Sequence, residues 1–109
     1  MSQSAVVVFI TAPNGRESKR LATVLVAERL AACVNVLGGV TSVYRWKAKI
    51  EKASEHLLLA KTTRVRLPAL IRRVKSLHSY AIPEIIAVPI FAGSPSYLSW
   101  VTQETNVNV

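Results

Sequence analysis

Cys33-Val34-Asn35-Val36-Leu37-Gly38-Gly39-Val40-Thr41-Ser42-Val43-Tyr44-Arg45-Trp46, followed after a polar interval by Leu57-Leu58-Leu59-Ala60-Lys61-Thr62, decides the fold. The first segment reads as extended chain, and Gly38-Gly39 marks a bulge or bend within it. Val40 to Trp46 then resumes with rough alternation. Lys47 to Ser54 is polar enough to hold a hairpin connection, with the strand extending through Ile50, and Leu57 to Thr62 is the return strand. A long hairpin placed between two helices narrows the choice of architecture.

Upstream, Ala5-Val6-Val7-Val8-Phe9-Ile10 is a continuous β-branched apolar run, the pattern of a strand buried on both faces. Pro13-Asn14-Gly15 breaks it. Asn14 with Glu17 three residues on has the outline of an N-cap and its reciprocal partner. A helix carrying Leu21, Ala22, Val24, Leu25 and Ala32 on its apolar positions should then end near Leu30 to Ala32. Downstream, Thr63 is the expected cap of a second helix with Pro68 in its first turn. Leu67, Leu70, Ile71, Val74, Leu77 and His78 form its amphipathic stripe. Ile85 to Phe91 is a further strand, and Pro89 puts it at an edge or a bulge. Ser94-Pro95 opens a short helix with Tyr97, Leu98, Trp100 and Val101.

The order β-α-β-β-α-β, with a C-terminal helix, gives an α+β fold: a ferredoxin-like antiparallel sheet with helices on one face. The chain's 109 residues read as a single domain, 1–109, with disordered or frayed ends at about 1–4 and 103–109. Half of the residues are apolar and mean hydropathy is +0.31. No run approaches the roughly 18 apolar residues of a spanning helix. The apolar surplus, including the open face of the sheet, therefore calls for a subunit interface. Secretory features are missing from the start of the sequence, and the lone Cys33 cannot close an intrachain disulfide, so a cytoplasmic protein is expected.

The net charge is +8, from 14 Lys and Arg against six acids, every one a Glu. The basic residues fall in two loose groups, Arg45 to Lys52 and Lys61 to Lys75, spaced as solvated faces rather than as one basic run. Nucleic-acid binding is accordingly not expected. The absence of Asp argues against a clustered carboxylate site for Mg²⁺ or Ca²⁺. Nothing assembles a nucleophile beside a base, so no catalytic residue is assigned. Cys33 sits among Ala31, Ala32 and Val34, an apolar setting that quietens a thiol. His56 reads as a surface strand residue. His78 ends an amphipathic helix and precedes a loop with Tyr80 and Glu84, where it either carries function or complements the helix dipole. Trp46 either packs against a neighbouring subunit or offers a stacking face.

These residues together resemble the CutA family of divalent-cation-tolerance proteins, from about Ala5 to Val101. The resemblance rests first on Thr11-Ala12-Pro13-Asn14, Leu21-Ala22 and Glu28-Arg29-Leu30-Ala31-Ala32-Cys33-Val34-Asn35. A second block is Gly39-Val40, Ser42-Val43-Tyr44-Arg45-Trp46 and Lys49-Ile50-Glu51. The remaining blocks are His78, Tyr80, Pro83-Glu84-Ile85-Ile86-Ala87, Pro89-Ile90, Gly93-Ser94-Pro95, Tyr97-Leu98 and Trp100.

The resemblance implies a homotrimer without enzymatic activity or a required cofactor, associated with the response to copper and other divalent metals. Of the copper ligands proposed in some members, only His78 has a counterpart. The first-strand cysteine is Ile10, and the other member of the histidine pair is Leu77. Cys33 matches a common family cysteine. Ala48 stands where the family usually has Gly, which strains any turn needing φ > 0, and Ser79 replaces a usual Pro. The resemblance to PII-like trimers implies an alternative, a signalling or interaction module binding a small anionic ligand in inter-subunit clefts. Arg45, Trp46, Lys47, Tyr80 and Glu84 would line such a cleft.

Overall fold

The computed structural model describes residues 4–106. Its elements are β1 (Ala5–Ala12), α1 (Gly15–Ala27), β2 (Cys33–Trp46), β3 (Lys49–Thr63), α2 (Leu67–Leu77), β4 (Ile85–Pro89) and α3 (Pro95–Glu104). The sheet order is β2-β3-β1-β4, with every neighbouring pair antiparallel. This is the α+β, ferredoxin-like arrangement that the element order implies. β1 lies inside the sheet, as its unbroken apolar run requires. β4 lies at an edge, where Pro89 leaves no partner strand without a donor.

Alternate residues of β1 explain the layers. Val6, Val8, Ile10 and Ala12 point to a core completed by Leu58 and Ala60 of β3, Leu21 and Leu25 of α1, and Leu70 and Val74 of α2. Asn14 caps α1, its Oδ1 accepting from the Glu17 backbone N–H at 2.8 Å. The carboxylate of Glu17 does not return to Asn14 but turns toward the loop after α2. Pro68 occupies the first turn of α2 as expected, yet Thr63 is not the cap. Thr63 ends β3, fully buried, and a tight turn through Arg64–Arg66 separates it from a helix whose N-cap, Arg66, makes no side-chain capping bond.

α1 ends at Ala27 rather than near Leu30 to Ala32. Arg29 adopts φ +59°, the Leu30 N–H bonds the Leu25 carbonyl at 2.9 Å, and the Arg29 N–H bonds that of Val26 at 3.1 Å. This pair of bonds is a Schellman termination without its usual glycine. The apolar residues Leu30 to Ala32 are buried beyond the helix, which is why they prolong its pattern without prolonging its hydrogen bonds.

The hairpin is longer and its turn tighter than the polar stretch suggests. Only Lys47 and Ala48 lie between β2 and β3, at φ +51° and +65°, the pattern of a type I′ turn. β3 therefore includes Lys49 to Ser54, which look like loop because both their faces are largely exposed. β1 pairs with β3 only from Ala5↔Thr63 to Ala12↔His56, so the outer hairpin projects as a two-stranded arm. Val43 is 61% and Ile50 72% exposed on it.

The expected bulge lies at Gly38-Gly39, where Leu37 pairs with Leu57 but Val40 pairs with Glu55, and Gly39 has φ +76°. One extra residue in β2 inverts the face of everything after it. Val40, Ser42, Tyr44 and Trp46 thus share a face with Leu37, away from α1 and α2. α3 packs on that same face near its other end, with Tyr97 beside Cys33. Leu37, Ile86 and Val88 remain 44%, 57% and 46% exposed. The expectation of frayed ends falls partly on 1–3 and 107–109, outside the described residues. Within them, the Ser4 carbonyl accepts from the Arg64 N–H, and α3 continues to Glu104, closed by buried Thr105.

Candidate functional site

A cleft of about 640 Å³ opens between the arm and the loop that follows α2. Thr11, Ser42, Val43, Tyr44, Trp46 and Glu55 form its sheet side, and Ser79, Tyr80, Ala81, Ile82 and Glu84 its loop side. The bulge accounts for the first group, because it brings Ser42, Tyr44 and Trp46 onto the face of Glu55. A hydrogen-bonded chain holds the second group. The Tyr80 hydroxyl donates to Glu55 Oε2 at 2.8 Å, and the Tyr80 backbone N–H donates to His78 Nδ1 at 3.0 Å. Glu17 Oε2 accepts from the Ser79 N–H at 2.9 Å and from its hydroxyl at 3.1 Å. Burial, and then the hydrogen bond to Glu55, push the Tyr80 phenol up to about 12.

His78 is the keystone of this loop and no open ligand. Its side chain is wholly enclosed, and Nε2 lies 2.7 Å from the Thr11 carbonyl. Since Nδ1 accepts from Tyr80, the proton belongs on Nε2, which donates to Thr11. Glu17 Oε2 stands 3.4 Å from Nδ1. Both ring nitrogens are engaged, so the metal-binding role expected of His78 finds no free lone pair in this arrangement. Among the described residues no group of three or more His, Cys, Asp or Glu could hold a metal ion. The site does not fit copper.

Of the residues expected to line an inter-subunit cleft, Trp46, Tyr80 and Glu84 line this cavity within the single chain, while Arg45 and Lys47 do not. Strand alternation sends Arg45 to the face opposite Tyr44 and Trp46, and Lys47 sits in the turn. The two basic groups are therefore absent from the walls that a single chain supplies. Glu55, Tyr44 and Glu17 are the residues that sequence reasoning missed. Counting register through the bulge is the one signal that finds Glu55. His56 lies outside the cleft, half-buried, with its Nε2 only 3.2 and 3.0 Å from where side chains on Gly15 and Gly38 would begin. Cys33 is half-buried; its proximity, together with burial as the larger cause, raises the Tyr97 phenol.

This arrangement has close counterparts. The profile described as CutA1 divalent ion tolerance protein matches residues 6–104. The chain belongs to the CutA1 divalent ion tolerance family. The divalent-cation tolerance protein CutA of Thermus thermophilus is 48% identical over 99 residues, covering 91% of this chain and 96% of that protein. Protein CutA of Mus musculus is 47% identical over 97 residues, but this chain spans only 55% of its length. The crystal structure of CutA1 from Oryza sativa superimposes with a TM-score of 0.94 at 42% identity, covering 98% of each chain. CutA relatives include a protein called chloroplastic in Arabidopsis thaliana and one called periplasmic in Archaeoglobus fulgidus. In this CutA chain no helix among the described residues is long and apolar enough to cross a membrane.

Proposed function

We propose that this CutA protein is a cytoplasmic, non-enzymatic homotrimer that serves divalent-cation tolerance by holding a small ligand in the cleft between arm and loop, in the manner of a PII-like module. The cleft carries the reading. Its loop wall is fixed by buried and part-buried hydrogen bonds through His78 and Tyr80, so the cavity is built in advance of any ligand. Trimerisation is supported by the surface. Leu37, Ile86 and Val88 share one exposed sheet face, Phe91 is fully exposed, and both β2 and β4 have a free edge within the single chain. An isolated two-stranded arm is marginal in water, and neighbouring copies would support it.

Direct copper binding through His78 is the weaker reading, because the imidazole is enclosed and doubly bonded. Sedimentation velocity should give the trimer mass. A calorimetric Cu²⁺ titration should then show no saturable heat that His78→Ala abolishes. In a Trp100→Phe background, Trp46 fluorescence should respond saturably to at least one compound in a panel of nucleotides, carboxylic acids and amines. A monomer, or a copper site lost in His78→Ala, would overturn the proposal.

A further inference from the structure

We propose that the cleft selects a small organic ammonium ion rather than an anion. This rests on the cleft being a ligand site, and deepens that reading by naming the chemistry it takes. The net charge of +8 makes the lining unexpected: 14 Lys and Arg are distributed over the chain, and none lines the cavity, whereas two of only six acids do.

Glu55 supplies the charge that needs an explanation. It is only 7% exposed, and its carboxylate accepts from a neutral phenol, the Tyr80 hydroxyl at 2.8 Å. The ion pairs of Lys and Arg among the described residues are Arg29–Glu104 and Arg73–Glu28, so neither Glu55 nor Glu84 has a cationic partner within 4.0 Å. A buried carboxylate facing no cation is costly, and a cation entering the cleft offsets that cost. Glu51 extends the same field, because it pairs with Tyr44 across the strands. Lys49 pairs with Trp46 at the tip of the arm but does not line the cavity.

Aromatic rings supply the second half of the recognition. Tyr44, Trp46 and Tyr80 all line the cleft, and Tyr44 lies close enough to Tyr80 to affect its phenol. A ring face attracts a weakly hydrated ammonium through its quadrupole and repels an anion. An organic cation also fills apolar space with its carbon atoms, which a hydrated metal ion cannot do. Carboxylates with three rings and no base therefore suit an alkylammonium group, and they disfavour phosphates and carboxylates.

The test compares three probes of matched size, n-butylammonium chloride, sodium butyrate and 1-butanol, against the intact protein at constant ionic strength. Binding is read from the Trp46 indole N–H in ¹H–¹⁵N correlation spectra. Butylammonium should shift that signal saturably, with butyrate and butanol at least about tenfold weaker. Glu55→Gln, which keeps an acceptor for the Tyr80 hydroxyl, should weaken butylammonium about tenfold. Exposed Glu84→Gln guards against a folding defect at Glu55 and should weaken it in the same direction. Arg45→Gln, outside the lining, should leave it unchanged. Preferential binding of butyrate, or equal binding of butanol, would overturn the ammonium assignment while retaining the cleft as a ligand site. Butylammonium binding indifferent to both Glu variants would also overturn it. No response to any of these probes or to the broader fluorescence panel would sink the cleft itself.

Discussion

Replacing Ala48 with glycine should stabilise this protein, although it removes a methyl group and adds no contact. Lys47 and Ala48 form the whole connection between β2 and β3, at φ +51° and +65°. A left-handed backbone costs an L-residue about 1–2 kcal/mol, because Cβ crowds the carbonyl oxygen. Glycine escapes that cost but loses about 0.5–1 kcal/mol more conformational freedom on folding. The difference is a gain of about 1 kcal/mol per chain. Ala48 is exposed, so lost burial does not offset the gain. With a urea m-value of about 1–3 kcal/mol/M, the midpoint should rise by roughly 0.3–1 M. The comparison must hold protomer concentration fixed, since association contributes to apparent stability. Ser54→Gly, at an exposed position of β3, is the control and should lower the midpoint, while Ala48→Val should lower it further than Ala48→Gly raises it. An unchanged or lower midpoint for Ala48→Gly would refute the account of the turn as strained.

Three other perturbations test the framework around the cleft. Asn14→Ala removes the acceptor of the Glu17 N–H and should cost about 1 kcal/mol in urea unfolding. His78→Ala strips partners from the Thr11 carbonyl and the Tyr80 N–H, a loss of about 1–3 kcal/mol for each group left unsatisfied, and hydrogen exchange at the Tyr80 amide should accelerate. Tyr80 should ionise later than an ordinary tyrosine, near pH 12, as read from phenolate absorbance against Tyr80→Phe. Its folded pKa lies above the unfolded value near 10, so the unfolded chain releases the proton first. Stability from this group is complete below about pH 10 and falls as pH rises through 12.

Much of the scaffold was legible because the deciding signals are local. The apolar run of β1, the Asn14 cap, Pro68 in a first turn and Pro89 at an edge each act within a few residues. The end of α1 was hidden because Arg29 takes the left-handed position that a glycine would have advertised. Lys47-Ala48 hid the hairpin turn for the same reason, and polar residues on an arm exposed on both faces then read as loop. The cleft was only half legible. Trp46, Tyr80 and Glu84 sit in recognisable blocks, but the bond from Tyr80 to Glu55 joins residues 25 apart through a register that no local pattern displays.

That register turns on a single inserted residue. Up to Leu37, the odd-numbered positions of β2 share the face of Leu57 and Leu59; after Gly38-Gly39, the even-numbered positions do. In an unbulged strand Tyr44 and Trp46 would project from the opposite face, and Arg45, paired with Lys49, would take their place on the face of Glu55. The cleft would then lose two of its three rings, and that face of the arm would carry a base in their place. The glycines thus do more than bend a strand. Gly39 adopts a backbone that other residues resist, and Gly38 leaves room for His56, whose Nε2 stands 3.0 Å from the position a Cβ would take. The bulge sets which side chains meet across the cleft, and through them the charge of the ligand proposed for it.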